Sequence, residues 1–221
     1  RTGNPDLKPE LATGVDLAFE RYLEQGGLLS ANVFRRNISN LIRATTSYNS
    51  STGRYVSLPT NVGDAITQGL ELEAKFRLDQ WFAGALPVDV RANASFFHSR
   101  VLDVPGPDNR LDQQPDMTAN LGGDYRLRGL PLTLGGNVNW NPAYDTRRTE
   151  QQWVYQGAKR VTDVYGLWKL SPSAGLRLTV SNLTPLDYIT GSTFRSGGQY
   201  ESATTTARNW RNIQLRLEMK I

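Results

Sequence analysis

Two carboxylates stand two residues apart in an alternating segment, Glu71 and Glu73. On an extended strand this spacing places them on one face about 7 Å apart, within the range of an inverting glycosidase pair. Lys75 and Arg77 continue the same face at the same spacing. Opposite charges that share one face of a sheet form ion pairs. We therefore interpret the row as a ladder of ion pairs on a solvated wall and not as a catalytic pair.

Few other side chains could support catalysis or metal binding. The sequence has no Cys, and His98 is its only His. These counts remove thiol nucleophiles, cysteine-ligated zinc and sites built from several His side chains. No phosphate-binding Gly-Lys-Ser/Thr motif and no dinucleotide fingerprint occurs. We predict no catalytic residue, no metal site, no cofactor and no enzymatic activity.

The basic charge of the chain raises nucleic acid as a partner. The net charge is +4 and the isoelectric point is about 9.4. A nucleic-acid surface needs its Lys and Arg side chains clustered, so that they release counterions from a phosphate backbone. Here the cations are scattered and interleaved with acids. We predict no nucleic-acid partner.

Cations and aromatic rings occur together in three of the segments that lie between the alternating stretches, and at the start of the stretch that follows the second of them. Such a mixture suits an anionic, aromatic metal chelate such as a ferric catecholate. Surface Arg and Tyr side chains also contact lipopolysaccharide or nothing at all, and that alternative stays open. The loop candidates for ligand binding are Tyr48, Arg54, Tyr55, Arg147, Arg148, Trp153, Tyr155, Arg195 and Tyr200.

The elements that carry these residues are two-faced strands. The segment 213–221 alternates apolar and polar residues without an error, and weaker copies of this pattern recur along the chain. Alternation of this kind predicts strands with one apolar and one polar face. The predicted strands are 11–23, 28–46, 61–78, 87–101, 115–128, 131–142, 153–170, 175–184 and 208–221.

The connections between these strands alternate in length. Short turns lie at 24–27, 128–130 and 171–175, whereas the longer segments are 47–60, 102–114, 143–152 and 185–207. In an up-and-down meander, every second connection lies at the same end of the sheet, as in barrels with short periplasmic turns and long extracellular loops. Half-apolar strands of this kind also agree with a mean hydropathy of -0.47. We therefore predict an all-β, antiparallel meander of about nine strands in a membrane. Because an odd meander cannot close on itself, the sheet should be open.

Several motifs resemble those of the TonB-dependent outer-membrane receptors. The opening residues Asn4, Leu7, Lys8, Pro9 and Glu10 match the family's N-x-x-L-K-P-E signature. Further segments similar to the family follow in the family's order, and they are 34–42, 61–65, 69–74, 181–183 and 187–188. The terminal Ile221 departs from the aromatic residue that usually ends these barrels.

The resemblance implies a 22-stranded transmembrane barrel in the bacterial outer membrane, of which residues 1–221 would be the carboxyl-terminal portion. The plug domain and the amino-terminal strands would lie outside this chain. The implied function is active uptake of a scarce nutrient, most often a ferric siderophore, with energy transmitted through TonB by the plug. Membrane lipid and lipopolysaccharide would contact the wall. A passive porin and a secreted carbohydrate-binding or hydrolytic β-sandwich remain the alternatives.

Overall fold

A computed structural model describes residues 3–24 and 26–220 of the chain, which leaves the terminal Ile221 outside the described residues. One turn of 3-10 helix spans Leu78–Gln80, and no helix among the described residues is long and apolar enough to cross a membrane. The described residues form fifteen strands: β1 (Leu11–Tyr22), β2 (Leu28–Ser39), β3 (Ile42–Asn49), β4 (Arg54–Asn61), β5 (Ala65–Arg77), β6 (Val88–Val101), β7 (Met117–Arg126), β8 (Leu132–Asn141), β9 (Tyr144–Arg147), β10 (Gln152–Gln156), β11 (Lys159–Ser171), β12 (Ala174–Ser181), β13 (Tyr188–Ser196), β14 (Gln199–Ala207) and β15 (Asn212–Met219).

Nine of these strands make one antiparallel sheet in the order β1-β2-β5-β6-β7-β8-β11-β12-β15. The order confirms the predicted meander of nine strands. Within the described residues β1 and β15 lie at the two edges and do not pair with each other, so the sheet is open as expected. All of the pairings in this sheet are antiparallel.

Register gives the sheet an apolar face and a polar face. One directly paired row runs Leu17, Val33, Leu70, Phe96 and Met117 across β1, β2, β5, β6 and β7, and it defines the apolar face. The polar face carries the adjacent positions, which include Asn32, Glu71, Ser95 and Thr118. A slip by one residue would exchange the two faces, so the pairing register is strongly specified.

In the part of the chain that the structure describes, no protein layer covers the apolar face. Leu17 is 73% exposed, Leu121 58% and Leu215 66%, although none of the three lies at a strand end. A β-sandwich would cover such side chains with a second sheet. Among the described residues the nine-stranded sheet instead leaves its apolar side chains open, as a wall against lipid does.

Two predicted strands are each divided in two, which corrects the sequence interpretation. The segment predicted at 28–46 breaks at Asn40, whose φ is 56° and whose amide donates to the Asp64 carboxylate at 3.1 Å. The segment predicted at 153–170 breaks at Gly157, whose amide donates to the Ile189 carbonyl at 2.7 Å instead of to a neighbour within the sheet. Both breaks depend on bonds to residues more than twenty positions away along the chain, which a local sequence pattern does not mark.

The longer segments are more ordered than predicted. Strands β3 and β4 form a hairpin, so that part of the predicted loop 47–60 is strand. The other two hairpins, β9–β10 and β13–β14, join through a β10–β13 ladder into a four-stranded sheet in the order β14-β13-β10-β9. The described connection between β6 and β7 contains no strand and lies against the polar face. All four segments, namely the three hairpins and the β6–β7 connection, lie at the same end of the nine-stranded sheet. We call them the surface segments, and we call the nine-stranded sheet the wall.

The buried apolar core lies at this end and is small. Ile38, Ala65 and Val101 occupy one paired row on the polar face, and Leu41 and Val104 pack against them. Val101 is completely buried and Ala65 is 1% exposed. This cluster fixes the β6–β7 connection onto the wall, and it therefore positions the surface segments.

Candidate functional site

The predicted family motif docks against the base of the β3–β4 hairpin. The Lys8 amide donates to Asn61 Oδ1 at 2.9 Å, and Asn61 Nδ2 donates to the Lys8 carbonyl at 3.0 Å and to the Asn40 carbonyl at 2.7 Å. The Glu10 carboxylate accepts a bond from the Ile42 amide at 2.7 Å. These bonds occupy backbone groups where the chain leaves the wall and enters the hairpin.

The other motif residues lie beside this junction. Asn4 donates to the Pro59 carbonyl at 2.9 Å, and the Pro9 carbonyl accepts from Asn40 Nδ2 at 3.4 Å. Leu7 is half-buried. In this fold the motif has a structural role, because its hydrogen bonds join the β3–β4 hairpin to the start of β1.

A buried arginine links three of the surface segments. The Arg43 guanidinium donates to the carbonyl oxygens of Arg148 at 3.2 Å, of Arg147 at 3.4 Å and of Arg110. Its Nη2 lies 3.3 Å from the Asp112 carboxylate, which also lies 3.2 Å from Arg148 Nε. We call Arg43, Asp112 and Arg148 the loop clasp, because they join the β3–β4 hairpin, the β6–β7 connection and the β9–β10 hairpin.

Burial shapes the electrostatics of the clasp. It lowers the pKa of Arg43 from its ordinary value, while Asp112 acts in the opposite direction. The side chain of Arg43 is only 2% exposed, so its charge depends on these protein partners and not on water. For the neighbouring Arg110, burial also opposes the charge, but bonds to Asp116 and Asp108 outweigh burial and raise the pKa.

Cations and rings alternate along one face of the four-stranded sheet. The Arg147 guanidinium lies 4.8 Å from the centre of the Trp153 ring, and Arg195 lies 5.5 Å from the same ring. Arg195 also lies 5.4 Å from the centre of the Tyr200 ring. Register and alternation place Tyr155 on the same face, where it is 37% exposed. We call Arg147, Trp153, Tyr155, Arg195 and Tyr200 the cation–aromatic ladder.

The loop candidates divide between the two faces of this sheet. The ring centres of Tyr48 and Tyr55 lie 5.3 Å apart in a tilted arrangement on the β3–β4 hairpin, and the Tyr55 ring meets Phe194 edge-on at 5.4 Å. Phe194 lies on the face opposite the ladder, where Thr146 is 2% exposed. Here the rings pack the first hairpin against the four-stranded sheet. The structure therefore brings five of the candidates together in the ladder and gives Tyr48 and Tyr55 a packing contact.

The two remaining loop candidates, Arg148 and Arg54, lie outside both of these groups, and two further residues of the loop clasp were not predicted from the sequence. Arg148 is engaged in the loop clasp, and Arg54 is exposed at the tip of its hairpin without a described partner. Sequence reasoning missed Arg43 and Asp112. Their partners lie far along the chain, since Arg43 and Arg147 are 104 positions apart, and no local pattern signals such a contact.

The carboxylate row on the wall has one described ion pair within it and not a continuous ladder, because Arg77 pairs instead with Asp79 at 2.7 Å. Glu73 Oε1 lies 2.6 Å from Lys75 Nζ, and Glu71 accepts a bond from Asn32 Nδ2 at 3.1 Å. Both acids are thus occupied by neighbours on the polar face. In the described part of the chain, no three His, Cys, Asp or Glu side chains come close enough together to hold a metal ion.

A polar cavity of about 250 Å³ lies between the wall and the surface segments. Lys159 Nζ stands 4.2 Å above the Tyr188 ring, and the Tyr188 hydroxyl donates to Gln156. Burial raises the pKa of Tyr144, which also lines the cavity. Three of the side chains that line it, those of Gln156, Lys159 and Tyr188, thus contact one another.

Comparison with known proteins decides the family. The model "TonB dependent receptor-like, beta-barrel" matches residues 1–183. The chain belongs to the TonB-dependent receptor family. This confirms the resemblance drawn from the motifs. The family and its relatives are outer-membrane proteins of Gram-negative bacteria, and they are receptors and transporters, not enzymes.

Individual relatives of this TonB-dependent receptor chain include siderophore receptors. It is 28% identical to the ferric-pyoverdine 358 receptor of Pseudomonas putida over 94% of the chain and 25% of that protein. The pyoverdine receptor FpvA of Pseudomonas aeruginosa PAO1, solved with pyoverdine, is 18% identical, with a TM-score of 0.66 over 97% of this chain and 30% of FpvA.

A copper transporter shares the same fold. OprC is 17% identical, with a TM-score of 0.68 over 98% of this chain and 33% of OprC. The chain spans about a quarter to a third of the length of these relatives. At such low identities, the two structures establish the barrel fold alone.

Proposed function

We propose that this chain is the wall and the surface loops of a receptor that binds a ferric siderophore outside the cell and imports it with energy delivered through TonB. The end of the sheet that carries the four surface segments would face the medium. The polar face would line the barrel lumen, and the apolar face would meet lipid. Residues 1–221 would be the carboxyl-terminal portion of a 22-stranded barrel, whose plug and remaining strands lie elsewhere.

The cation–aromatic ladder is the observation that carries this proposal. Its two guanidinium groups flank the Trp153 indole on a face that the β3–β4 hairpin leaves open. Many siderophore complexes present negative charge next to planar iron-binding groups. Arg side chains pair with such charge, and aromatic rings stack on such planes.

The ladder is also partly organised before a ligand arrives. Arg147 donates to the carbonyl oxygens of Gly106 at 3.0 Å and Glu150 at 3.1 Å, so its position over Trp153 is set by the loops. Among the described residues, the Arg195 guanidinium contacts only the rings of Trp153 and Tyr200, which leaves its donors available to an anion. Preorganisation of this kind lowers the entropic cost of binding.

The siderophore class is supported by relatives and not by the fold. The ferric-pyoverdine 358 receptor matches nearly the whole chain in sequence. We infer that a negatively charged iron chelate is the ligand, with pyoverdine-like complexes as the first to examine. A bare copper ion is the competing cargo, because OprC has the same fold.

The test measures binding and uptake of radiolabelled ferric siderophores by the full-length protein in intact cells. Trp153→Ala and Arg195→Gln should each weaken binding about tenfold, since a cation–π contact contributes on the order of 1 to 2 kcal/mol. Arg128→Gln, in the exposed short turn between β7 and β8 at the opposite end of the sheet, is the matched control and should bind as the wild type does.

Three results would contradict the proposal. Full affinity in the Trp153 and Arg195 variants would remove the ladder from ligand binding. Uptake that persists when TonB is absent would indicate a passive channel. Saturable uptake of copper without uptake of any ferric siderophore would make the protein a copper transporter.

A further inference from the structure

We propose that the groove between the β3–β4 hairpin and the four-stranded sheet binds one neutral sugar ring. The groove lies on the face of the sheet opposite the cation–aromatic ladder, and its volume is about 190 Å³. Pockets for drug-sized ligands take about 300 to 1,000 Å³, so this groove suits a smaller molecule. We call it the hairpin groove, and the side chains that define it are those of Thr46, Tyr55, Gln152, Ser192, Phe194 and Glu201.

Strand register assembles the sheet side of the hairpin groove. Gln152, Phe194 and Glu201 are directly paired across β10, β13 and β14, so they form one row. Ser192 lies two residues from Phe194 and therefore on the same face. In the described part of the chain, no Lys or Arg lines the groove. An anion would meet the Glu201 carboxylate there without a compensating cation, which excludes the iron chelates proposed for the ladder.

The β3–β4 hairpin supplies Thr46 and an aromatic surface to the other side. The Tyr55 ring meets the Phe194 ring edge-on at 5.4 Å, yet Tyr55 remains 42% exposed. Aromatic side chains of this kind offer a broad apolar surface beside polar groups. The C–H groups on one side of a sugar ring can pack against such a surface, and its hydroxyls then stay free for hydrogen bonds.

The polar side chains of the hairpin groove are not used within the described protein. Gln152 Oε1 is buried and accepts no hydrogen bond from the described residues. The side chains of Thr46, Ser192 and Glu201 likewise have no described hydrogen bond or ion pair. A buried acceptor without a donor destabilises the folded state, so a ligand that donates to it gains binding free energy.

This set of polar groups matches hydroxyls better than it matches an ammonium group. Hydroxyls both donate and accept, so they can pair with the acceptors of Gln152 and Glu201 and with the hydroxyls of Thr46 and Ser192. An ammonium group only donates, so it would leave the hydroxyl donors of the groove unmatched. We therefore commit to a sugar as the occupant. The proposal does not depend on which nutrient the receptor imports.

Saturation-transfer NMR of the full-length protein in mild detergent tests the site. The probes are methyl α-D-glucoside, methyl α-D-mannoside and methyl β-D-galactoside, and at least one of them should bind. Gln152→Met keeps most of the side-chain volume and should weaken binding about tenfold, because it removes a hydrogen-bond acceptor. Glu201→Gln should weaken binding by a similar factor, because it replaces a charge-assisted bond by a neutral one.

The matched control is Gln151→Met. It makes the same chemical change at the adjacent residue, which is exposed and does not line the hairpin groove, so it should bind as the wild type does. Hydrogen exchange separates ligand binding from packing. Because Gln152 Oε1 has no described partner, Gln152→Met should leave the protection of β3–β4 and β10 unchanged while affinity for the sugar falls. Siderophore uptake by Gln152→Met should also stay normal, so a failure of this site is distinguishable from a failure of the proposed uptake.

Maltoheptaose then distinguishes a free sugar from the end of a glycan. Binding at least as tight as that of methyl α-D-glucoside assigns the groove to a glycan end, and weaker binding assigns it to a free sugar; both results support a site for one ring. Absence of saturation transfer to all three glycosides would show a groove that holds only water and would overturn the proposal. Equal affinity in the wild type, Gln152→Met and Glu201→Gln would overturn it, and so would displacement of the glycosides by tetramethylammonium, which would indicate an ammonium site.

Discussion

The loop clasp gives a prediction whose magnitude follows from the structure. Replacing Arg43 by Met keeps much of the side-chain volume and removes the guanidinium, which is 2% exposed. The change deletes bonds to the Arg148 and Arg110 carbonyls and the ion pair with Asp112. Removing one partner of a buried ion pair costs about 3 to 5 kcal/mol.

The lower end of that range applies here. Asp112 is 30% exposed and keeps Arg148 at 3.2 Å, so its charge is not left without compensation. We expect the free energy that holds the surface segments closed to fall by about 3 kcal/mol, which makes local opening about 150-fold more frequent.

Hydrogen–deuterium exchange of the full-length protein in lipid nanodiscs measures this opening. Protection should fall in β3–β4, in the β6–β7 connection and in β9–β10, while β12 and β15 keep theirs. Arg54→Met, on the same hairpin as Arg43 but exposed and without a described partner, should exchange as the wild type does. Unchanged protection in Arg43→Met, or an equal loss in β12 and β15, would refute the clasp as a local link between the loops.

Two further predictions concern the wall and the first hairpin. Leu72→Arg should prevent outer-membrane assembly, because a cation facing lipid costs about 2 to 4 kcal/mol near the midplane. Glu73→Gln, on the polar face, should assemble normally. Heat-modifiable migration on gels measures assembly, and equal behaviour of the two variants would contradict the face assignment. Gly63 has φ +105°, and a Cβ there would lie 1.8 Å from Asp103 Oδ2. Gly63→Ala should therefore make the β3–β4 hairpin sensitive to protease, with a cost of about 1 to 3 kcal/mol from the backbone alone. Gly129→Ala has a similar φ of +79° but open space around it, so it should be the milder change, and the opposite order would contradict the role of the Asp103 contact.

Much of the wall follows from local sequence. Alternation in segments such as β5 and β15 predicted both the strands and their two faces, and the motif around Lys8 and Glu10 indicated the family. The same reasoning treated 28–46 and 153–170 as single strands. At Asn40 and Gly157 the chain turns because of bonds to distant partners, and the apolar–polar period does not register such bonds.

The loop candidates show the same limit. Residue types alone drew attention to Trp153, Arg195 and Tyr55, but they could not assign Tyr55 to a packing contact and the other two to an open face.

The sequence by itself determined the period of the side chains, and with it the nine-stranded wall, its apolar and polar faces and its family. Those features depend on residues that are close neighbours along the chain. Only the tertiary structure decided how the surface segments meet. The Arg43 clasp and the β10–β13 ladder join residues tens to more than a hundred positions apart, and such contacts arise from the positions of whole hairpins in space and not from any repeating pattern in the chain.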